Sequence, residues 1–293
     1  MKSSHASLVK SPLSLAAGAL VVAVLAFAQE PQPTEATAAP SSRASVTLFT
    51  NVRIFDGVSS ELSPPSHVLV RGNKIERISA DPIPTDRRAD TTIIDGSGRT
   101  LMPGLIDAHV HTMMESIQLM KGLTADSGYV NLVAARAAEK QLMRGFTTVR
   151  DLGGASFSLK QAIDEGLHLG PRIYPSGATI SQTGGHGDFR LPNDVPRDSG
   201  APLTYLEKSG MTIVADGAEE VLKRSREQLM KGATQLKLMA GGGVSSNYDP
   251  LDVAQYTTAE FSAAVSAADN WGTYVTVHAY TPKAIRAAVE AGV

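Results

Sequence analysis

The pattern of apolar and polar residues changes character near residue 100. Over residues 45–101, short runs of β-forming residues are separated by Gly-rich turns, and HVLVRGNKIERISA contains two such runs around RGNK. This pattern predicts a small β unit with a hairpin, which we interpret as a β-sandwich segment. Over residues 102–293, apolar runs alternate with longer amphipathic stretches. This second pattern predicts parallel strand–helix units and therefore an α/β fold.

The alternation places the strands and helices of the α/β domain. The predicted strands cover residues 104–111, 146–153, 172–180, 234–241 and 273–280. The predicted helices cover about 129–144, 156–167, 218–231 and 258–270, and a last helix begins near Pro282. Two long loops, residues 181–216 and 241–257, follow strands. Because the carboxyl ends of parallel strands form the functional face of α/β folds, we expect these loops to border a site.

The first 44 residues have a different composition. Lys2 and Lys10 give the start of the chain a positive charge, residues 15–28 are a run of 14 mostly apolar residues, and the run ends in Ala-Phe-Ala. A bilayer span needs about 20 apolar residues, so we predict a signal peptide over residues 1–28, cleaved near Ala28, and no stable membrane anchor. Export to the periplasm or the medium follows. Residues 29–44, rich in Pro, Ala, Ser and Thr, predict a disordered linker.

Composition excludes several kinds of chemistry. The 293 residues carry a formal net charge of −2, so no nucleic-acid partner is indicated. The absence of cysteine excludes disulfides, thiolate metal sites and thiol nucleophiles.

Histidines stand at the ends of two predicted strands. His109 and His111, in LMPGLIDAHVHT, lie two residues apart, so their side chains share a face and are separated by about 7 Å along the strand. Two imidazoles so placed can bind one transition-metal ion, although two partly buried histidines bonded to backbone are the plainer alternative. His278 ends the last predicted strand on a face shared with Thr276 and Tyr280, and is a candidate third ligand.

Lys237 lies inside the predicted strand TQLKLMAG, on the face opposite Leu236 and Leu238. An unpaired lysine in a core is costly, and burial lowers its pKa toward a neutral, nucleophilic amine. Such an amine can capture carbon dioxide as a carbamate whose two oxygens bridge two metal ions. The alternative is a lysine that reaches solvent or pairs with an acid.

Several segments together resemble the amidohydrolase superfamily. These are TIIDGSGRTLMPGLIDAHVHT, TTVRDLGG, SQTGGHGD and VHAYTPKAI, which are similar to the imidazolonepropionase-related, Xaa-Pro dipeptidase-like branch. The resemblance covers residues 46–293. It implies a (β/α)₈ TIM-type barrel, of which about strands 1–5 are present, beside a β-sandwich. It also implies two divalent metal ions, usually zinc, at the mouth of the barrel.

The resemblance assigns roles to the candidate residues. His109 and His111 would hold one metal ion, a carbamylated Lys237 would bridge both, and His278 would hold the second. A metal-bound hydroxide would attack the substrate amide. His186, in TGGHGD, would contact the substrate carbonyl, with a structural loop hydrogen bond as the alternative.

Tyr280 would bond the substrate near the scissile bond, with a merely structural tyrosine as the alternative. Arg150 and Asp151 end the second predicted strand and are interpreted as a structural ion pair, with a catalytic role as the alternative.

The predicted activity is hydrolysis of an amide or peptide C–N bond in a dipeptide or N-acyl amino acid. A mononuclear deaminase or cyclic-amide hydrolase of the same superfamily is one alternative, and a non-catalytic amidohydrolase-like binding protein is another. Relatives often assemble, which leaves room for a homo-oligomer. The family pattern adds a histidine on strand 6 and an aspartate on strand 8. Since neither is present before Val293, we expect this chain to be part of a longer enzyme and inactive alone.

Overall fold

The chain forms two compact units. A computed structural model describes residues 45–86, 90–198 and 200–293, so the predicted signal peptide and linker lie outside the described residues. Among the described residues, the first unit combines residues 45–50 with His67–Asp95, and the second combines Asn51–Ser66 with Gly96–Val293. Across the described residues, no helix has both the length and the apolar character that a membrane span requires.

The first unit is built on one β-sheet. Its strands are β1 (Val46–Ile54), β2 (Ser66–Arg71), β3 (Lys74–Ser79) and β4 (Thr91–Asp95), in the order β3-β2-β1-β4. β2 and β3 pair antiparallel, which confirms the hairpin predicted at RGNK, and β1 pairs parallel with β4. One cluster of buried apolar residues in this unit consists of Val46, Leu48, Leu69 and Ile83. The second layer of a β-sandwich stays a prediction.

The second unit is an α/β structure with parallel sheets. After β5 (Thr100–Leu101), its strands are β6 (Leu105–Val110), β7 (Phe146–Asp151), β8 (Arg172–Pro175), β9 (Thr179–Ser181), β10 (Thr212–Val214), β11 (Leu236–Met239) and β12 (Val275–His278). They form two sheets of parallel strands, β6-β7-β8 and β10-β9-β11-β12. The single strand predicted over residues 172–180 is therefore divided between the two sheets. Closure into a barrel stays a prediction.

Helices alternate with these strands as the sequence predicts. They are α1 (Leu119–Thr124), α2 (Ser127–Met143), α3 (Phe157–Asp164), α4 (Tyr205–Ser209), α5 (Ala218–Met230), α6 (Thr258–Trp271) and α7 (Pro282–Glu290). α2, α3, α5 and α6 match the predicted helices to within a few residues. α7 begins at Pro282 as predicted, because the Thr281 side chain accepts the Ala284 N–H and proline has no N–H to leave unpaired.

The first long loop is more structured than predicted. Residues 181–216 contain a 3₁₀ turn (Pro192–Asp194), α4 and β10, which pairs parallel with β9. The prediction of a continuous loop was wrong because β10 is only three residues long, too short for its apolar run to show a period. The second loop, residues 241–257, is confirmed, with one isolated bridge between Gly241 and Ala254.

The strands pack one face against helices and leave the other free for a site. In the sheet β10-β9-β11-β12, Ile180, Leu236 and Leu238 are fully buried in a cluster with Phe261 of α6 and residues of α5 and α7. Alternation along β11 therefore turns Lys237 to the opposite face. The sheet β6-β7-β8 packs in the same way against α2 and α3.

Candidate active site

A cavity of about 510 Å³ lies at the carboxyl ends of β6, β11 and β12. It is lined by Asp107, His109, Val110, His111, Met114, Glu115, Leu119, Leu123, Thr179, His186, Gly187, Phe189, Met211, Lys237, Met239, Ser245 and His278. The structure therefore brings together five of the six predicted site residues. The sixth, Tyr280, lies outside this lining: it is 57% exposed, and its ring meets the His278 ring edge-on at 4.8 Å.

The two histidines of β6 share one face as predicted. Their ring centroids are 5.3 Å apart, and the Asp107 carboxylate accepts the backbone N–H of His109. Burial lowers the pKa of His111 to about 4, and burial together with the charges of Lys237 and Arg150 lowers the pKa of His109. Both rings are thus neutral near pH 7, and His111 Nδ1 has no hydrogen-bond partner among the described residues.

Lys237 is buried without an acidic partner. Lys237 is only 2% exposed, and within the described part of the chain no carboxylate forms an ion pair with its amine. Burial, and then the charge of Arg150, lowers the pKa of Lys237 to about 8. A neutral amine is therefore accessible near physiological pH, which is the form that captures carbon dioxide.

His278 is oriented by the second long loop. Its Nε2 atom lies 3.0 Å from the Gly242 carbonyl oxygen. Because a carbonyl only accepts, Nε2 carries the proton and Nδ1 is the nitrogen left with a lone pair. Burial, followed by the nearby charge of His186, lowers the pKa of His278 to about 4.

His186 is held between the two long loops. Its ring stacks on the His278 ring with centroids 4.2 Å apart, and its Nδ1 atom lies 2.9 Å from Asp249 Oδ2 and 2.8 Å from Ser246 Oγ. The sequence did not single out Asp249, Ser246 or Gly243. The available signal was GGGVSSNYDP, where three glycines follow a buried strand at the functional end of the sheet.

Arg150 and Asp151 do not form the predicted ion pair. Arg150 Nε donates to the Ala108 carbonyl at 2.7 Å, and its Nη1 atom donates to the Tyr274 hydroxyl at 3.2 Å. Asp151 is fully buried and accepts the Thr112 N–H at 3.3 Å, and burial raises its pKa to about 7. The prediction was wrong because consecutive residues of a strand point to opposite faces.

The donor set of the cavity fits a divalent transition metal. Over the described residues, no group of three or more His, Cys, Asp or Glu side chains is arranged to hold a metal ion. The fit is therefore one of donor chemistry and not of spacing: His109, His111 and His278 offer imidazole nitrogens, and the Lys237 amine would contribute oxygen donors as a carbamate. Neutral imidazoles with free nitrogens, beside an unpaired buried amine, are the ligands that zinc and its neighbours accept.

Comparison with known proteins agrees with the α/β fold. The amidohydrolase family matches residues 100–293, and this chain belongs to that family. Its similarities fall in the dipeptidase-like branch. Ochratoxinase of Aspergillus niger is 36% identical over 199 residues, which are 66% of this chain and 42% of that protein.

Two solved structures extend the comparison. A prolidase complexed with N-methylphosphonate-L-proline is 39% identical with a TM-score of 0.75, covering 85% of this chain and 60% of its own. A Xaa-Pro dipeptidase with methionine bound in the active site is 30% identical with a TM-score of 0.69, with the same coverage. The chain thus spans between 42% and 60% of these relatives.

Proposed function

We propose that the complete gene product is a metal-dependent hydrolase that cleaves an amide or peptide C–N bond in a small-molecule substrate. The observation that carries this proposal is the convergence of His109, His111, Lys237 and His278 on one cavity from three strands. The pKa values of all four residues are lowered, so the three imidazoles are neutral near pH 7 and the Lys237 amine loses its proton more readily than an exposed lysine does. Ochratoxinase, a prolidase and a Xaa-Pro dipeptidase as relatives support an amide bond as the target.

The proposed roles follow the strands. His109 and His111 would hold one divalent ion, zinc in the first instance, His278 would hold a second through Nδ1, and Lys237, as a carbamate, would be a ligand of both. Divalent ions bound there supply Lewis acidity toward an amide carbonyl. His186 faces the cavity beside His278 and contacts the substrate carbonyl.

The lining also indicates the kind of substrate. Apolar side chains border the cavity on the side of α1 and the first long loop, and we call them the apolar lining: Met114, Leu119, Leu123, Phe189 and Met211. Such a surface favours a substrate with an apolar group beside the scissile amide, such as a dipeptide or N-acyl amino acid with a large aliphatic or aromatic side chain.

Metal content and hydrolysis of the complete gene product test the proposal. We expect about two metal ions per chain and metal-dependent cleavage within a panel of dipeptides and N-acyl amino acids. The double variant His109→Asn and His111→Asn should lose bound metal while remaining folded. Less than about one ion per chain, with no cleavage across the panel, would show that the proposal is wrong.

A further inference from the structure

We propose that Asp249 is a positioning residue, which holds the His186 ring through Nδ1 so that Nε2 is the nitrogen presented to the cavity. The contact of Nε2 with substrate rests on the proposed function. The orientation of the His186 ring and the choice of nitrogen that carries its proton do not. Asp249 is 5% exposed and does not line the cavity, so it acts only through the histidine.

The contacts around Nδ1 fix which nitrogen carries the proton. Asp249 Oδ2 lies 2.9 Å from His186 Nδ1 and also accepts the Gly243 N–H at 2.7 Å. Burial alone raises the pKa of Asp249, but hydrogen bonds from Ser246, His186 and Gly243 outweigh it, and the net pKa is below the usual value. The carboxylate is thus ionised and only accepts, so Nδ1 must donate.

Ser246 completes the arrangement without competing for that role. Its Oγ atom lies 2.8 Å from His186 Nδ1 and accepts the Gly187 N–H at 3.2 Å. The serine also lowers the pKa of Asp249 and so favours the ionised carboxylate. The serine therefore joins the two long loops, and the decisive charge at Nδ1 is that of Asp249.

The plane of the ring is also fixed. One face stacks on His278 at 4.2 Å, and a Cβ atom at position 243 would lie 2.1 Å from His186 Cε1, so only glycine fits there. With Nδ1 enclosed by Asp249 and Ser246, Nε2 is the nitrogen on the cavity side. Ser245 Oγ, itself part of the lining, lies 3.5 Å from it. The second long loop therefore orients both His186, through Asp249, and His278, through the Gly242 carbonyl.

Nitrogen-15 NMR of histidine-labelled complete gene product tests the protonation pattern without any activity. The His186 signals are assigned by their loss in His186→Gln. We expect Nδ1 to be the protonated nitrogen in the unmodified protein, and Asp249→Ala to shift the population toward Nε2–H. A bare Nδ1 in the unmodified protein would overturn the proposal, and this measurement holds even if Asp249→Ala does not fold.

Asp216→Ala is the matched control. Asp216 stabilises the first long loop, which carries His186, by accepting the N–H and hydroxyl of Thr183 at 2.9 Å and 2.7 Å, but it does not touch His186. It should leave the His186 signals in place. If the two alanine variants changed those signals equally, general loosening of the loop would explain the result and positioning by Asp249 would be refuted.

Kinetics separate positioning from mere structural support. In the active enzyme, Asp249→Ala should lower kcat about 10- to 100-fold with KM little changed, as for residues that orient a group at a metal site. Asp249→Asn should recover part of the loss, because an amide oxygen can still accept from Nδ1 and from Gly243. An equal loss in Asp216→Ala would contradict the proposal. If no amide is cleaved at all, the proposed function fails while the NMR result still decides the role of Asp249.

Discussion

The two sides of the cavity satisfy their polar groups in different ways. On the strand side, the side chains of His109, His111 and Lys237 have no hydrogen-bond or ion-pair partner among the described residues, and His111 Nδ1 is buried without one. On the loop side, His278 bonds to a backbone carbonyl and His186 bonds to Asp249. The strand side is thus poor in protein partners, and the loop side is already organised.

Backbone chemistry explains this difference. Parallel strands use their N–H and C=O groups in the sheet ladder, so side chains at their ends find few free backbone acceptors. The loop of residues 241–257 forms no such ladder, which leaves the Gly242 carbonyl and Gly243 N–H free to bond side chains. Unpaired buried groups cost stability, and a bound ligand recovers that cost. The strand side therefore offers unpaired donor groups to the proposed metal ions, whereas the loop side fixes the orientation of His186 and His278.

Removing the buried amine should have the largest effect. Lys237→Met in the complete gene product should lower kcat/KM by at least about 10³-fold, because the bridging ligand is lost and a bound metal contributes several kcal/mol. Metal analysis should show fewer ions per chain. Lys223→Met, at a side chain that is 58% exposed on α5, is the control and should retain both. Unchanged metal content and activity in Lys237→Met would favour the mononuclear deaminase alternative.

The same variant should stabilise the metal-free protein. The pKa of Lys237 is lowered from 10.5 to about 8, so at pH 7 the folded state carries a disfavoured charge, worth at most about 3 kcal/mol. Between pH 8 and 10.5 the unfolded chain binds more protons than the folded protein, so the unmodified protein gains stability as pH rises. The difference in the free energy of unfolding between Lys237→Met and the unmodified protein therefore narrows over this range. Urea unfolding across this range measures it. If Lys237→Met were less stable than the unmodified protein at pH 7, the amine would be satisfied after all.

The sequence predicted the strand side far better than the loop side. His109, His111 and Lys237 follow from period-two alternation and from the rule that parallel strands end at one edge. Asp249 could not be found in this way, because loop residues have no period and their contacts depend on how two loops meet. β10 was missed for a related reason, since a three-residue strand carries almost no pattern. The predicted ion pair between Arg150 and Asp151 was wrong, because neighbours along a strand point to opposite faces of the sheet.

Acid should destabilise the metal-free protein through the cavity histidines. The pKa values of His111 and His278 are about 4 in the folded state and about 6.5 in an unfolded chain. Between these values the unfolded state binds more protons, so the free energy of unfolding should fall as pH is lowered from 6.5 to 4. Both rings are partly exposed, so each should contribute less than about 1.4 kcal/mol per pH unit.

His278→Gln separates this effect from loss of the loop contact. Glutamine can still donate to the Gly242 carbonyl but does not titrate, so denaturant midpoints should depend less steeply on pH in this variant. His168→Gln is the control for replacing a histidine by glutamine, because the His168 ring bonds to the Ala135 carbonyl away from the cavity. An unaltered pH slope in His278→Gln would mean that the loop side does not hold a neutral imidazole.

The apolar lining should give the smallest effect, because it distinguishes substrates rather than assembling the site. Leu119→Ala removes apolar contact area at the cavity and should lower kcat/KM about tenfold for substrates with a large apolar group, through KM, while leaving small substrates nearly unaffected. Met120→Ala is the matched control, since Met120 is the next residue of α1 and is 69% exposed outside the lining. Equal losses for large and small substrates would mean that α1 supports the cavity without contacting substrate. A loss confined to large substrates would show that the apolar lining sets substrate choice, independently of the proposed metal ligands and of the loop that orients His186 and His278.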